Sequence, residues 1–247
     1  MRTRPVFGAG NSENDWTKTI VVRVGKVMKA ESSKSNNADF IVHESIIRKH
    51  SPFFEAAMGH DWKEAKERLV LLPDHEPIAF RLYLQWIYTH RLAITFKDEP
   101  PFDALIDGYI LGDYLEDGDF RDAMTDAILE MVVDEGLPLS SIPRVYDNTS
   151  EKALLRCALI DLLVHHAESR TWISRARKER EFPDEALYDI IEKLADYKSE
   201  DCLPIRPVSL IANPCPYHEH QHGVCYRIKY VYELSVSKEL PQECQLR

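Results

Sequence analysis

The densest group of side chains able to bind a metal lies in the stretch "CPYHEHQHGVC", residues 215–225. Thiolate sulfur and imidazole nitrogen are ligands that Zn²⁺ prefers, and a structural zinc site holds four of them in a tetrahedron. The pairs Cys215-x-x-His218 and His222-x-x-Cys225 both have chelate spacing. We therefore predict a zinc site, with zinc as the candidate cofactor. The candidate ligands are Cys215, His218, His220, His222 and Cys225.

A second interpretation of this stretch stays open. Only three residues separate the two pairs, which is shorter than the usual zinc-finger loop, and a histidine-rich tail is often simply solvated. A reducing compartment favours metal, because clustered thiols there do not persist as disulfides.

A second cluster lies in "FIVHESIIRKHSPFF", residues 40–54, where His43, Glu44, His50 and Ser51 come close together. These are residue types that perform acid–base or nucleophilic catalysis. A catalytic His–Ser pair also needs an orienting group and an oxyanion donor, and no Gly-x-Ser-x-Gly or His-Glu-x-x-His signature is present. We interpret the stretch as the entrance to a hydrophobic core, with His50 facing solvent. The sequence indicates that the protein is not an enzyme.

Composition narrows the class of protein. Of 247 residues, 44% are hydrophobic and 29% charged, which is typical of a globular chain. The formal net charge of −10 disfavours nucleic-acid binding, and the one basic run, "RARKER" at 175–180, is interpreted as a solvated helix face. No signal-peptide segment and no apolar run of about 18 residues is present, so we expect no membrane association and a cytoplasmic or nuclear location.

The hydrophobic pattern changes along the chain from strands to helices. Alternating apolar residues predict strands early in the sequence, and apolar residues at spacings of three and four predict helices after them. Ser51 followed by Pro52 is typical of a helix start. Few strands, clustered early, indicate an α+β fold. Strands are predicted at 20–25, 40–43, 68–72 and 225–232, and helices at 45–49, from 52, and at 77–92, 102–115, 120–133, 151–167 and 184–197.

Several motifs occur in an order typical of one family. From about Thr19 to Leu92 the sequence resembles the BTB/POZ domain, and it is most similar to the stand-alone BTB proteins of filamentous fungi. The resemblance implies a BTB/POZ fold, a small sheet with surrounding helices, followed by a helical extension and a Cys/His-rich tail. We predict a disordered tail at 1–16, the BTB/POZ domain at 17–135, the extension at 136–200 and the Cys/His-rich tail at 201–247. The motifs are Val42-His43, Ile47, Ser51, Phe53-Phe54, Leu72-Pro73-Asp74 and Tyr88-Thr89. The resemblance implies that His43 is a structural residue between the second strand and the first helix, packed and hydrogen-bonded.

The resemblance also implies a function, that of a protein–protein interaction module. Many BTB proteins are adaptors for cullin ubiquitin ligases, so a cullin is a candidate partner, and Trp62 is a candidate contact residue. Many also form homodimers through the first helix and an exchanged N-terminal strand; the polar tail and the insertion "VMKAESSKSNN" depart from that arrangement. The alternative function is a transcriptional or chromatin regulator with a zinc-stabilised tail.

Overall fold

The computed structural model describes residues 15–26, 37–59, 62–92, 101–166, 174, 177, 182–199, 211–220 and 224–230. The predicted tail at 1–16 lies almost wholly outside these ranges. Within them the strands are β1 (Thr19–Val24), β2 (Ala38–His43) and β3 (Leu69–Leu72). The helices are α1 (Glu44–His50), α2 (Pro52–Gly59), α3 (Lys63–Glu67), α4 (Pro77–Thr89), α5 (Pro101–Tyr114), α6 (Gly118–Glu135), α7 (Ser141–Asn148), α8 (Leu154–His166), α9 (Asp184–Ser199) and α10 (Tyr226–Lys229), with a short 3₁₀ helix at Cys215–Tyr217.

The three strands form one sheet in the order β2-β1-β3, with β1 antiparallel to β2 and parallel to β3. The side chains of β1 alternate as the sequence predicts, because successive residues of a strand point to opposite faces. Ile20, Val22 and Val24 are buried, whereas Val21 and Arg23 lie on the outer face and are only half-buried. The predicted α+β class is therefore confirmed.

The inner face of the sheet packs against helices α1, α2 and α4 and continues into α5 and α6. Phe54 and Trp86 are among the largest fully buried side chains, as predicted, whereas Phe53 is half-buried. Phe120 of α6 packs edge to face on Tyr83 of α4, with ring centroids 5.0 Å apart. These aromatic contacts join the sheet-side helices to the long helix α6.

The residues of the second sequence cluster have structural roles. Ser51 caps α2 as predicted, because its Oγ accepts the backbone N–H of Phe54 at 3.3 Å. The same hydroxyl donates to the carbonyl of Leu115 at 2.7 Å. His43 donates its backbone N–H to the Tyr88 hydroxyl at 3.1 Å, and its Nδ1 lies 2.8 Å from that oxygen. The packed, hydrogen-bonded role predicted for His43 is confirmed.

Two predictions were wrong. His50 does not face solvent: its side chain is only 11% exposed, and burial lowers the pKa of its ring to about 4. Its ring lies against that of His90, with centroids 5.3 Å apart. Within the strand predicted at 225–232, the described residues 225–230 instead contain the whole of helix α10, Tyr226–Lys229. Tyrosines four residues apart lie on one side of a helix, and both rings pack against Trp86.

Helix α7 packs beside α5, whereas α8 and α9 pack against α7 and against each other. All three helices continue the hydrophobic core. Arg144 of α7 pairs with Asp107 of α5, and Arg156 of α8 pairs with Glu185 of α9 at 2.9 Å. We call α7 to α9 the helical extension. None of the helices in the described part of the chain is long and apolar enough to cross a membrane.

Candidate metal centre

A tight turn brings the first two candidate ligands together. Cys215 opens the 3₁₀ helix, in which Pro216 supplies a φ suited to a helix start. The backbone N–H of Tyr217 donates to the Pro214 carbonyl at 2.8 Å, and that of His218 donates to the Cys215 carbonyl at 3.1 Å. Folding the chain back over one turn places the side chains of Cys215 and His218 on the same side.

Four of the five predicted ligands meet in the structure. The ligand atoms of Cys215, His218, His220 and Cys225 all lie within 4.8 Å of one another. The Nδ1 of His218 is 3.6 Å from the Sγ of Cys225. Bonds of about 2.3 Å to sulfur and about 2.0 Å to nitrogen at a tetrahedral angle give nearly that separation. The fifth candidate, His222, lies outside the described residues.

His220 tests whether a metal fits this group. Both of its ring nitrogens are buried and make no hydrogen bond that the described residues show. Burial lowers the pKa of His220 and keeps its imidazole neutral, the form that binds metal. A buried polar group without a partner costs about 1–3 kcal/mol, and a bound cation would give one nitrogen its partner. The group therefore fits a metal ion.

A carboxylate on α6 orients His218. The Nε2 of His218 lies 2.8 Å from Oδ1 of Asp126, and both side chains are almost fully buried. A ring whose Nε2–H donates to a carboxylate presents Nδ1 as its free donor, and metal-bound histidines usually have such a partner. In His218, Nδ1 is the nitrogen that faces Cys225. The hydrogen bond thus turns the correct nitrogen toward the centre.

The other oxygen of Asp126 is also satisfied. Asp126 Oδ2 accepts a hydrogen bond from the Tyr226 hydroxyl and another from Nε of Arg227 at 2.7 Å. The guanidinium balances the buried carboxylate, which would otherwise be costly to remove from water. Two thiolates and two neutral imidazoles around a divalent zinc also sum to zero charge. The four ligands with zinc, and the pair Asp126–Arg227, would therefore each be buried without net charge.

The neighbours of His218 raise its pKa. Burial alone would lower this pKa, but the hydrogen bond to Asp126 and the contact with Cys225 outweigh burial and raise it to about 9. A metal at Nδ1 takes the place of the proton on that nitrogen.

Sequence reasoning missed the acidic stripe on α6 that receives this segment. Asp119, Asp122 and Asp126 are spaced three and four residues apart, so they lie on one face of the helix. The backbone N–H of Glu219 donates to Asp122 Oδ1 at 2.6 Å, and Lys229 pairs with Asp119 at 2.6 Å. Burial raises the pKa of Asp122 to about 7. The spacing was visible in the sequence, but carboxylates on a helix face normally indicate a solvated surface.

Four protein ligands leave no coordination position for a substrate. Catalytic zinc keeps one position open, whereas structural zinc is closed by four side chains. The arrangement of Cys215, His218, His220 and Cys225 is therefore that of a structural site.

Comparison with protein families identifies one domain. The BTB/POZ domain family matches residues 28–128, and a search of curated proteins finds no match. The matched range contains β2, β3 and α1 to α5, and it ends in α6 just after Asp126. Strand β1 lies before it and the four ligands lie after it. The order β2-β1-β3 with surrounding helices is consistent with the BTB fold. Residues 28–128 of this chain are a BTB/POZ domain.

Proposed function

We propose that this chain is an adaptor for a cullin-type ubiquitin ligase and works in the cytoplasm or the nucleus. The observation that supports this most is the BTB/POZ domain itself, since the family consists of non-enzymatic protein–protein interaction modules. Adaptor function requires one surface for the cullin and a separate one for a second protein. We also propose the domain limits 17–135 and 136–200 for the BTB/POZ domain and the helical extension.

An apolar patch on the outer face of the sheet supports the interaction role. Val21 of β1 lies directly between Ile41 of β2 and Leu69 of β3 in the register. Ile41 is 74% exposed, and Leu71, two residues along β3 on the same face, is 54% exposed. Large exposed apolar side chains grouped on one face are typical of an interaction surface. We call Val21, Ile41, Leu69 and Leu71 the sheet patch.

The alternative role, regulation of transcription or chromatin, has less support. Such a protein would benefit from a segregated basic face for nucleic acid. The chain instead carries a formal net charge of −10.

Affinity purification of the whole tagged chain tests the adaptor proposal. We expect mass spectrometry to recover a cullin, and size-exclusion chromatography with purified cullin N-terminal domain to show a complex. The double variant Ile41→Lys, Leu71→Lys should weaken recovery of at least one partner, because charges replace the most exposed apolar groups of the sheet patch. Tyr188→Lys is the matched control, since Tyr188 is 67% exposed but lies on α9.

The possible outcomes separate the two levels of this proposal. Partners recovered without any cullin would reject the adaptor role and leave the interaction module intact. A chain that recovers no partner, and that sediments as a monomer of 28.6 kDa at micromolar concentration, would contradict the interaction role. Self-association without other partners would instead identify a homodimer.

We further propose that the metal of the candidate centre is zinc, held by Cys215, His218, His220 and Cys225. Two sulfur and two nitrogen ligands within 4.8 Å of one another favour zinc over harder cations such as Mg²⁺ or Ca²⁺. A reducing compartment keeps both cysteines available as thiolates. Zinc would therefore stabilise the segment that carries its ligands.

Elemental analysis tests this assignment. Protein purified without a histidine tag should contain about one zinc per chain, and Cys215→Ser with Cys225→Ser should abolish the binding. Cys157→Ser is the matched control, because Cys157 is exposed on α8 and is not one of the grouped ligands. A chelator should lower the melting temperature of the wild type and of Cys157→Ser, but not that of the variant with Cys215→Ser and Cys225→Ser. Metal-free protein whose melting does not respond to added zinc would reject the site.

A further inference from the structure

The segment that carries the ligands contacts two parts of the molecule at once. We call residues 215–220 and 224–230 the Cys/His segment. On one side, the hydroxyl of Tyr217 donates to Asp161 Oδ2 on α8 at 2.6 Å. Lys193 of α9 lies 2.6 Å from the other oxygen of Asp161. The segment is thereby joined directly to α8, and α9 is joined to the same carboxylate through Lys193.

On the other side the segment is joined to the BTB/POZ domain. His218 meets Asp126 of α6 at 2.8 Å. The next residue, Glu219, accepts a hydrogen bond from the Tyr109 hydroxyl of α5 at 2.7 Å and pairs with Arg121 of α6 at 2.6 Å. Adjacent residues, Tyr217 and His218, therefore face different parts of the molecule.

A metal would fix this segment at both of its ends. Cys215 precedes the contact to α8, and Cys225 precedes Tyr226 and Arg227, which both bond Asp126. Linking Cys215 to Cys225 through one ion closes the intervening chain into a loop. A closed loop has fewer conformations than an open one. The segment therefore loses less conformational entropy when it packs against the rest of the protein. The hydrogen bonds and ion pairs of the segment, each weak by itself, then form together.

We infer that metal bound by Cys215, His218, His220 and Cys225 clamps α8 and α9 to the BTB/POZ domain, with Asp126 as the residue that positions His218. The inference rests on the proposed zinc site and adds what the metal does. The residue that orients one ligand, Asp126, belongs to α6, so the site and the domain share a structural contact. Metal content thereby controls how firmly the extension is held.

Hydrogen exchange of the whole chain, zinc-loaded or treated with chelator, tests the clamp. We expect chelation to speed amide exchange in the Cys/His segment, in α8 around Asp161 and in α6 around Asp126. Exchange in β1, β2 and β3 should not change, which provides the internal reference. One zinc per chain with unchanged exchange in α8 would overturn the clamp and leave the zinc site standing. A chain that binds no zinc would reject both.

Two variants separate the clamp from the site. Tyr217→Phe removes the bond to Asp161 but no ligand, so it should keep zinc affinity and lose the zinc-dependent protection of α8. Asp126→Asn should lower zinc affinity roughly 10–100-fold and shift the visible spectrum of the cobalt-substituted protein. Asp126→Glu should restore part of the affinity and part of the wild-type spectrum. Asp126→Asn protein with wild-type zinc affinity would overturn the positioning role. Tyr217→Phe protein that keeps the α8 protection would overturn the clamp.

Discussion

At the scale of single residues, histidine is the type whose role depends most on its surroundings. His43 bonds a tyrosine hydroxyl at the end of a strand, His50 is buried and neutral, and His218 is held by a carboxylate. The sequence predicted the role of His43 from its place in a family motif. It failed for His50, because the residues that bury a helix-end side chain come from elsewhere in the chain.

His50 should make stability depend on pH. Its pKa is lowered from 6.5 to about 4, first by burial and then by His90 and Lys49. Between these values the unfolded chain binds a proton that the folded chain does not, so this part of the stability is present at pH 7 and is lost as pH falls toward 4. Between pH 7 and pH 5, we expect the free energy of unfolding of His50→Gln to fall by roughly 2 kcal/mol less than that of the wild type.

Urea denaturation of both proteins at the two pH values measures this difference. The pKa shifts of other groups contribute to both proteins, so they largely cancel when the variant is compared with the wild type. One such group is Asp117, whose Oδ2 lies 3.9 Å from Nδ1 of His50. Identical pH dependence in the two proteins would show that His50 titrates normally.

Phe54 should be a major contributor to the stability of the core. Its side chain has no exposed surface, and it packs edge to face on Phe53 at 5.2 Å. Phe54→Ala should lower the free energy of unfolding by roughly 3–5 kcal/mol, through lost burial and a residual cavity. Phe53→Ala, at the half-buried neighbour, should cost clearly less in the same urea titration. Equal costs would contradict the assignment of Phe54 to the core.

At the scale of elements, regular periodicity was predictable and short segments were not. The strands of the sheet and helices α4, α5, α6, α8 and α9 fall close to their predicted limits, because each has enough residues to show a period of two or of 3.6. The four-residue helix α10 shows neither period. Its conformation is decided by Tyr226 and Tyr230 packing on Trp86, which no local pattern encodes.

The contact between α5 and α6 depends on a glycine. A Cβ added to Gly112 would lie 2.9 Å from atoms of both Phe120 and Arg121, and Phe120 is fully buried. Gly112→Ala should therefore destabilise the protein by roughly 1–3 kcal/mol in spite of the higher helix propensity of alanine.

Gly59→Ala is the matched control for this change. Gly59 also lies in a helix, α2, but nothing lies within 4 Å of its added Cβ. Thermal unfolding should show a neutral or slightly higher melting temperature for Gly59→Ala and a lower one for Gly112→Ala. Similar melting temperatures for the two variants would mean that α5 and α6 accommodate the added Cβ without loss of stability.

At the scale of the whole molecule, the sequence predicted which residues could bind metal but not what surrounds them. Local spacing brought Cys215 and His218 into one candidate set. The partner of His218, Asp126, is 92 positions away, and a single sequence contains no signal that joins them. The acidic stripe on α6 was therefore not recognised as part of a site, although the Cys/His segment packs on it. Long-range pairing between separately predictable parts is what the structure adds.

The distance along the chain between Asp126 and His218 has a consequence for biosynthesis. A ribosome delivers the BTB/POZ domain many seconds before the ligands, at about 5–20 residues per second. During that interval α6 presents its three aspartates to water, where carboxylates are ionised and repel one another. Their charge keeps this face of the unfinished chain hydrated until the Cys/His segment packs on it. That segment then replaces hydration with the contacts of His218 to Asp126 and of Lys229 to Asp119, so these contacts form only after residues 215–230 have been made.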